Sequence, residues 1–357
     1  MKNKYFQFKN YLYYKIIMKF FKNIQEKSGI LTFELHTEKK VNKGLVNAIR
    51  RIIISKTPLI AIDIEQINFL KNTSILHNEM LTRRLSLIPW DYNALKKLDL
   101  SKLEIKLQSE NKAEEIKDIL VKDFELFNGE KKLDINQFTN FTNILFLKLK
   151  PFQDINLIAK FKESTQRNSG AAFCPTSTSI FTFGLDKKAL DKALKDIPKD
   201  DQKDFLVENQ ERFYLTDDKG EPTVYDYTIE SIGQLSNKMI FKNSFDILIQ
   251  ELDRLVKGLM ESIPEIIHID IPKISMVAFD FTIPNEDDTL GNLLQSYLLD
   301  DDNVNYAAYD IIHPLQKSLI IRMSLKNNNT LENNKTVFLS TITHIKKLVM
   351  ELKKDFK

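Results

Sequence analysis

Cysteine is nearly absent. The single Cys174 in 357 residues cannot form an internal disulfide and cannot alone supply a thiolate zinc site. Glycine is sparse too: the nine glycines never come within eight positions of one another. A loop that wraps phosphate needs closely spaced residues free of a Cβ, so the dinucleotide fingerprint and the P-loop are both excluded. The five histidines contain no pair spaced by four, the spacing that sets two imidazoles on one helical face, and zincin chemistry falls with that. His77 and Glu79 form a His-x-Glu, but no Pro-Cys-x-x-Cys follows, so a zinc deaminase is excluded. No Gly-x-Ser-x-Gly turn occurs, and Cys174, followed by Pro175, reads as a packed residue rather than a nucleophile. Asp300, Asp301 and Asp302 read as a polar turn after an apolar helix. The expectation is no catalytic residue, no metal and no cofactor.

Long apolar runs are missing as well. Nothing approaches the roughly 20 residues that span a bilayer, and Lys9, Lys15 and Lys19 interrupt the aromatic N-terminus before a signal-peptide core forms. This points to an intracellular protein without a membrane partner. An excess of one charge is also lacking: 52 basic against 49 acidic residues leave +3, which argues against a dedicated nucleic-acid coat. Arginine is scarce, with eight residues, and four of the eight stand in two adjacent pairs, Arg50-Arg51 and Arg83-Arg84.

What is present is an ordinary globular balance, 43% apolar and 28% charged, in a chain long enough for two or three packed units. Residues 1–17 form a basic, aromatic extension. Ile30 to Leu35 alternates as a half-buried strand. Leu45, Ala48, Ile49, Ile52 and Ile53 recur at helical spacing between Gly44 and Ser55, and Pro58 stops that helix. A second strand runs from Leu59 to Phe69, and a short helix from Asn78 to Leu87 follows the turn Asn72-Thr73-Ser74. Residues 91–140 are Lys-, Asp- and Glu-rich with alternation at Leu103, Ile105 and Leu107, the pattern of a small inserted domain. Strand patterns return at 144–161, 173–183 and 225–232, separated by a polar surface excursion at 184–220. Phe241, Phe245, Leu248, Leu252, Leu255 and Leu259 then mark a long helix with one apolar seam. Beyond Pro264 and Pro272, a strand from Met276 to Ile283, a helix from Thr289 to Leu299 and a strand from Leu319 to Leu325 lead to a terminal helix seamed by Phe338, Ile342, Ile345, Leu348, Leu352 and Phe356.

The chain repeats itself. Gly44-Leu45-Val46-Asn47-Ala48-Ile49 falls on Thr289-Leu290-Gly291-Asn292-Leu293-Leu294 at a constant offset of 245, and the order strand, Leu-x-Asn helix, further strands, seam helix recurs with it. Two halves on one plan, each with an apolar helical face it cannot bury alone, predict pairing about a pseudo-two-fold axis.

These residues carry a resemblance. Asn47-Ala48-Ile49-Arg50-Arg51 with Pro58 and Ala61-Ile62-Asp63, the stretch Asn72 to Pro89 with its Leu-His-x-Glu, Arg-Leu and Leu-Ile-Pro elements, Ser169 to Pro175, and Ile229 to Gly233 are similar to the alpha-type assembly subunits of cellular RNA polymerases. Those are the bacterial alpha N-terminal domain, the eukaryotic third-largest subunit and its archaeal counterpart. Past Pro264, Phe281-Thr282-Ile283, Asp287 to Leu294, Tyr309-Asp310 and His313-Pro314-Leu315 resemble the small partner of that subunit, the eukaryotic eleventh subunit and its archaeal counterpart.

The resemblance implies an α+β fold of two dimerisation modules in one chain, forming an intramolecular heterodimer: 18–90 with 141–264, and 265–357, with a β-rich insert at 91–140. It implies a pairing interface of Leu45, Ile49, Leu248, Leu252, Leu255, Leu290, Leu294, Ile345 and Leu352. A large-subunit interface would comprise Asn47, Arg50, Arg51, His77, Glu79, Arg83, Arg84 and Pro89. The implied partners are the largest and second-largest polymerase subunits, with small subunits of the tenth and twelfth type beside them and DNA reached only through the complex. Catalytic magnesium belongs to an Asp-Phe-Asp-Gly-Asp loop of the largest subunit, and that string is absent here. Residues 91–140 lack the cysteine clusters of several relatives, and Gln295-Ser296 replaces the arginine pair in the second half. Fusion of the two subunits is known among large DNA viruses, which implies virion and host cytoplasm as location. Two other readings stay open: a stand-alone nucleic-acid-binding protein using the basic N-terminus, and a free regulator that mimics the assembly subunits.

Overall fold

The computed structural model describes residues 20–37, 41–195, 197–271, 278–313, 315 and 318–356. The expected extension 1–17 lies outside these residues, as do Pro272, Met276 and Pro314 of the motifs above.

Strand β1 (Phe21–Lys27) turns through Ser28-Gly29 into β2 (Ile30–His36). Both turn residues take positive φ, 51° and 79°, as a two-residue hairpin requires, and glycine adopts its angle without strain. Alternation along β2 buries Leu31, Phe33 and Leu35. Helix α1 (Lys43–Ser55) follows, started by Asn42, whose side-chain oxygen accepts from the Leu45 N–H at 3.1 Å.

Strand β3 (Leu59–Asn72) serves two cores at once. Leu59 and Ala61 pack with α1, while Ile60 and Ile62, on the opposite face, enter a separate core. Helix α2 (Asn78–Ser86) and strands β4 (Leu103–Glu110), β5 (Lys117–Leu120), β6 (Glu125–Asn128), β7 (Lys131–Leu133), β8 (Leu145–Leu149) and β9 (Asp154–Ser164) complete that second body. Its antiparallel sheet has the order β3-β9-β4-β6-β7, beside the pair β5-β8. The expected bounds of the insert, 91–140, are therefore too narrow. Its core collects side chains from Ile60 to Phe161, because β3 pairs with β9 and β9 with β4 rather than joining the dimerisation sheet. The expected dimerisation segments 18–90 and 141–264 lose those flanks to it.

The chain rejoins the first sheet through β10 (Thr176–Phe183) and β11 (Val224–Ser231), giving the order β1-β2-β11-β10. Between them α3 (Lys187–Lys195) and α4 (Gln202–Asn209) contribute no buried residue, as suits a surface excursion. Helix α5 (Asn237–Met260), capped by Ser236, lays its seam from Phe241 to Leu259 on the sheet. The second half comprises β12 (His268–Asp270), β13 (Phe279–Pro284), α6 (Asp288–Leu299), β14 (Val304–Asp310), β15 (Ser318–Leu325) and α7 (Leu331–Asp355), with sheet order β12-β13-β15-β14.

Both halves thus share one plan. Each runs hairpin, helix, two strands, helix, and in each sheet the strands stand in the order first, second, fourth, third. One core joins them. Phe356, just past α7, lies among Phe21, Phe33 and Phe241 of the first half, with ring centroids 5.1, 5.7 and 4.6 Å away.

Candidate assembly interfaces

The surface between the halves is built from four helices. Leu45 and Ile49 of α1, Leu248, Leu252 and Leu255 of α5, Leu290 and Leu294 of α6, and Ile345 and Leu352 of α7 are each at most 1% exposed and belong to one apolar cluster. Burying a side chain of this size contributes roughly 1.5 to 3 kcal/mol relative to leaving it in water. Parting the halves would expose many such groups together.

Helices α1 and α6 run antiparallel, and polar contacts mark both ends. At one end the Asn42 amide donates to Ser296 Oγ at 3.1 Å; at the other, Arg51 Nε donates to Thr289 Oγ1 at 2.8 Å. Beyond Arg51 lies a cluster that sequence reasoning does not find. Lys56, at the end of α1, is buried, with Nζ 2.6 Å from Glu251 Oε1 and 3.0 Å from Glu286 Oε2. Arg254 also binds Glu286, and Arg167 lies 3.5 Å from both Glu286 and Asp287. Nothing in the spacing of these six residues marks them, since they come together only when the halves close.

Burial sets the electrostatics here. It pushes the Glu251 carboxyl above its ordinary range, with Glu286 reinforcing the shift and Lys56 opposing it. Burial acts on Asp287 in the same sense, but the Thr289 hydroxyl and backbone N–H, helped by Arg167 and Lys56, outweigh it and hold that carboxyl low.

The outer face carries the second set of candidates. Asn72 organises the turn before α2: its amide donates to Leu76 O at 2.9 Å, and its side-chain oxygen accepts from the Ser74 N–H at 3.0 Å. This turn leads into α2 with His77, Glu79 and Arg83 exposed beside Ile75, Met80 and Leu87, which are 60%, 54% and 49% exposed. Apolar side chains grouped in this way among charged ones suit a protein contact. On α1, Asn47 is half-buried and accepts from Arg50 Nε at 3.0 Å. A cleft of about 1380 Å3 runs along α1 and α6, lined by Asn47, Arg51, Asn292 and Ser296 and walled by the 217–223 edge of the surface excursion.

Three of the expected contact residues are occupied inside the chain. Arg51 is engaged with Thr289 and stands 3.9 and 4.0 Å from Asp287 and Asp288. Arg84 donates to the backbone carbonyls of Phe146 and Leu145 at 2.8 and 2.7 Å, tying α2 to β8. Pro89 is buried, and its carbonyl accepts from Thr139 Oγ1 at 2.7 Å. The structure therefore makes these three internal ties, because each reaches a donor or acceptor that the fold brings to it.

Among the described residues no group of three or more histidine, cysteine, aspartate or glutamate side chains could hold a metal ion, and no helix is long and apolar enough to cross a membrane.

Two family models, each describing an RNA polymerase Rpb3/Rpb11 dimerisation domain, match the chain, one over residues 37–252 and the other over residues 278–355. The chain belongs to that dimerisation family. The first match spans α1, the insert and most of α5; the second spans β13 to α7. Among individual relatives, the chain is 22% identical over 286 residues to subunit 3 of the DNA-directed RNA polymerases II, IV and V of Arabidopsis thaliana, covering 64% of this chain and 87% of the relative. It is 25% identical over 245 residues to the DNA-directed RNA polymerase subunit Rpo3 of Pyrococcus horikoshii, covering 61% and 90%. Over 63 residues it is 43% identical to the DNA-directed RNA polymerase II subunit rpb11 of Dictyostelium discoideum, covering 17% of this chain and 49% of the relative. The chain spans less than half the length of these RPB11-type relatives, 41% for the one from Caenorhabditis elegans, and 87% and 90% of the two subunit 3 relatives above.

Proposed function

We propose that this chain is the non-catalytic assembly platform of a DNA-directed RNA polymerase, holding the largest and second-largest subunits together. The observation that carries the reading is the presence of two Rpb3/Rpb11 dimerisation domains on one chain whose helices close into a single core. Joining the halves makes their association intramolecular, at an effective concentration of order millimolar for a short connection, and fixes their ratio at one to one. The closed pair then offers a rigid outer face. Asn47, Arg50, His77, Glu79 and Arg83, with the exposed Ile75, Met80 and Leu87, are the residues we assign to the second-largest subunit. Small subunits of the tenth and twelfth type are further neighbours in this reading, and DNA is reached only through the complex. The fusion, taken with the resemblance, also favours a viral source and work in virion and host cytoplasm.

Affinity purification of the tagged chain from its source cells tests this. Stoichiometric recovery of two very large chains is the expected result. Recovery of the chain alone, retained by duplex DNA in a salt-dependent way, would replace the proposal with the nucleic-acid-binding reading.

A further inference from the structure

The turn between β8 and β9 has a geometry that glycine usually supplies, and it contains no glycine. Gln153 N–H donates to Lys150 O at 3.2 Å, Pro151 fills the second position, and Phe152 fills the third with a φ of 62°. Proline followed by a positive φ marks a type II turn, whose third position falls to glycine or asparagine because a larger side chain crowds its own backbone there. Burial does not offset that strain. The Phe152 ring is 80% exposed, the one exposed phenylalanine among the described residues.

The turn is nonetheless held from both sides. Phe152 N–H donates to Asn111 O at 2.8 Å, and Asn111 N–H donates to Gln153 O at 2.9 Å. Asn111 is itself buried, and its amide donates to Leu149 O at 2.9 Å and Glu115 O at 2.8 Å, which fixes the loop where Ile116 stands 59% exposed. On the other side, Asp154 accepts from Thr73 N–H through its carbonyl at 3.0 Å and from Thr73 Oγ1 through its carboxylate at 2.8 Å. Thr73 lies in the turn that leads through the exposed Ile75 into α2. The Phe152 turn is therefore tied directly to the face that carries Ile75 and Met80.

We infer that Phe152 is an anchor of the surface that α2 presents, a ring displayed on a fixed turn that enters an apolar socket of the protein docking there. Strain kept at an exposed position, where glycine would relieve it, is the pattern of stability given up for recognition. An aromatic side chain on a rigid backbone brings a large contact area and loses little freedom on binding, which is why such residues dominate protein contacts. The partner's chemistry follows from the surroundings. Lys112 and Lys148, which flank the turn in sequence, are paired with Glu110 and Asp118 at 3.3 and 2.6 Å, so charge is balanced and the contact is an apolar one. The socket takes one benzyl ring with a branched aliphatic group, Ile116, beside it. A nucleic-acid backbone offers no such socket. The inference deepens the assignment of the α2 face to the second-largest subunit and rests on it.

The test uses the full chain and the complex it forms with the two large subunits. Phe152→Gly should melt no lower than the unchanged protein, because so exposed a ring contributes little to the fold. Its capture of the second-largest subunit should weaken on the order of tenfold or more. Phe152→Leu keeps an apolar side chain on the same turn and should retain part of that capture. Hydroxyl-radical footprinting reads the ring directly: oxidation of Phe152 and Ile116 should fall about threefold or more in the complex relative to the free chain. A lowered melting temperature for Phe152→Gly, capture equal to that of the unchanged protein, or unaltered labelling of Phe152 in the complex would each overturn the inference. Capture lost by Arg83→Ala but kept by Phe152→Gly would remove this anchor alone and leave the second-largest subunit as the partner of α2. An unchanged chain that captures neither large subunit would remove both.

Discussion

Lys56 Nζ lies 3.0 Å from Glu286 Oε2, which links the end of α1 to the loop before α6 through two side chains almost sealed from water. Lys56 also serves Glu251, so removing it leaves two buried carboxylates short of a cation. Breaking a buried ion pair from one side costs about 3 to 5 kcal/mol, far more than a surface pair. Lys56→Ala should therefore lower the unfolding free energy by about that amount in a urea titration. A loss within the range of an ordinary surface substitution would show that Arg254 and Arg167 carry the cluster without it.

Much of this architecture is legible in periodicity, and the failures have physical causes. The seams of α1, α5 and α6 stand out because each helix buries one stripe against a sheet and another helix. Strand β1 escapes detection because Asn23 takes a positive φ of 53° and the pairing register shifts between Lys22 and Gln25, which breaks the alternation. Strand β14 is hidden for a related reason: its Ala307 and Ala308 give little contrast, and a bulge lies between Val304 and Tyr306. Helix α7 begins at Leu331, well before its apolar seam, because Thr330 caps it and the buried Asn334 donates to Asn329 Oδ1 and Thr330 O. The insert is larger than its polar composition suggests because β3 alternates between two cores, and a strand with both faces covered gives no sign of where one body ends. Arg51 and Arg84 stand out in an arginine-poor chain, but their partners are carbonyls and side chains remote in sequence, which no local pattern reveals.

The pairing of the halves depends on apolar burial. Leu290 is fully buried in the shared cluster, and an aspartate there would place an unpaired charge inside the core that joins the halves. Leu290→Asp should open the two halves and raise the radius of gyration in small-angle scattering, whereas Leu290→Ala should keep them paired at a cost of about 2 to 5 kcal/mol. An unchanged radius for the aspartate variant would mean that the halves hold together by other contacts.

The adjacent arginines of α2 should behave differently. Arg84 ties the helix to β8 through two carbonyls, so Arg84→Ala should lower stability by roughly 1 to 3 kcal/mol, the range for losing charged hydrogen bonds. Arg83 is exposed, so Arg83→Ala should leave the melting curve in place while weakening capture of the second-largest subunit in pull-down. Equal capture by Arg83→Ala and the unchanged protein would remove that residue from the proposed contact surface.

The two shifted carboxyls of the buried cluster give stability opposite dependences on pH. Glu251 has a folded pKa raised above its ordinary 4.5, so its contribution is present in full below that value and is lost as pH rises through the raised pKa. Asp287 has a folded pKa held below 3.8, so its contribution is present above that value and is lost as pH falls through the lowered one. Glu251→Gln should thus gain stability relative to the unchanged protein as pH climbs from 4.5 toward neutrality. Asp287→Asn should lose its deficit as the solution is acidified below 3.8. Urea titrations across this range measure both slopes. Parallel curves for Glu251→Gln and the unchanged protein would show that Lys56 keeps the glutamate ionised despite its burial.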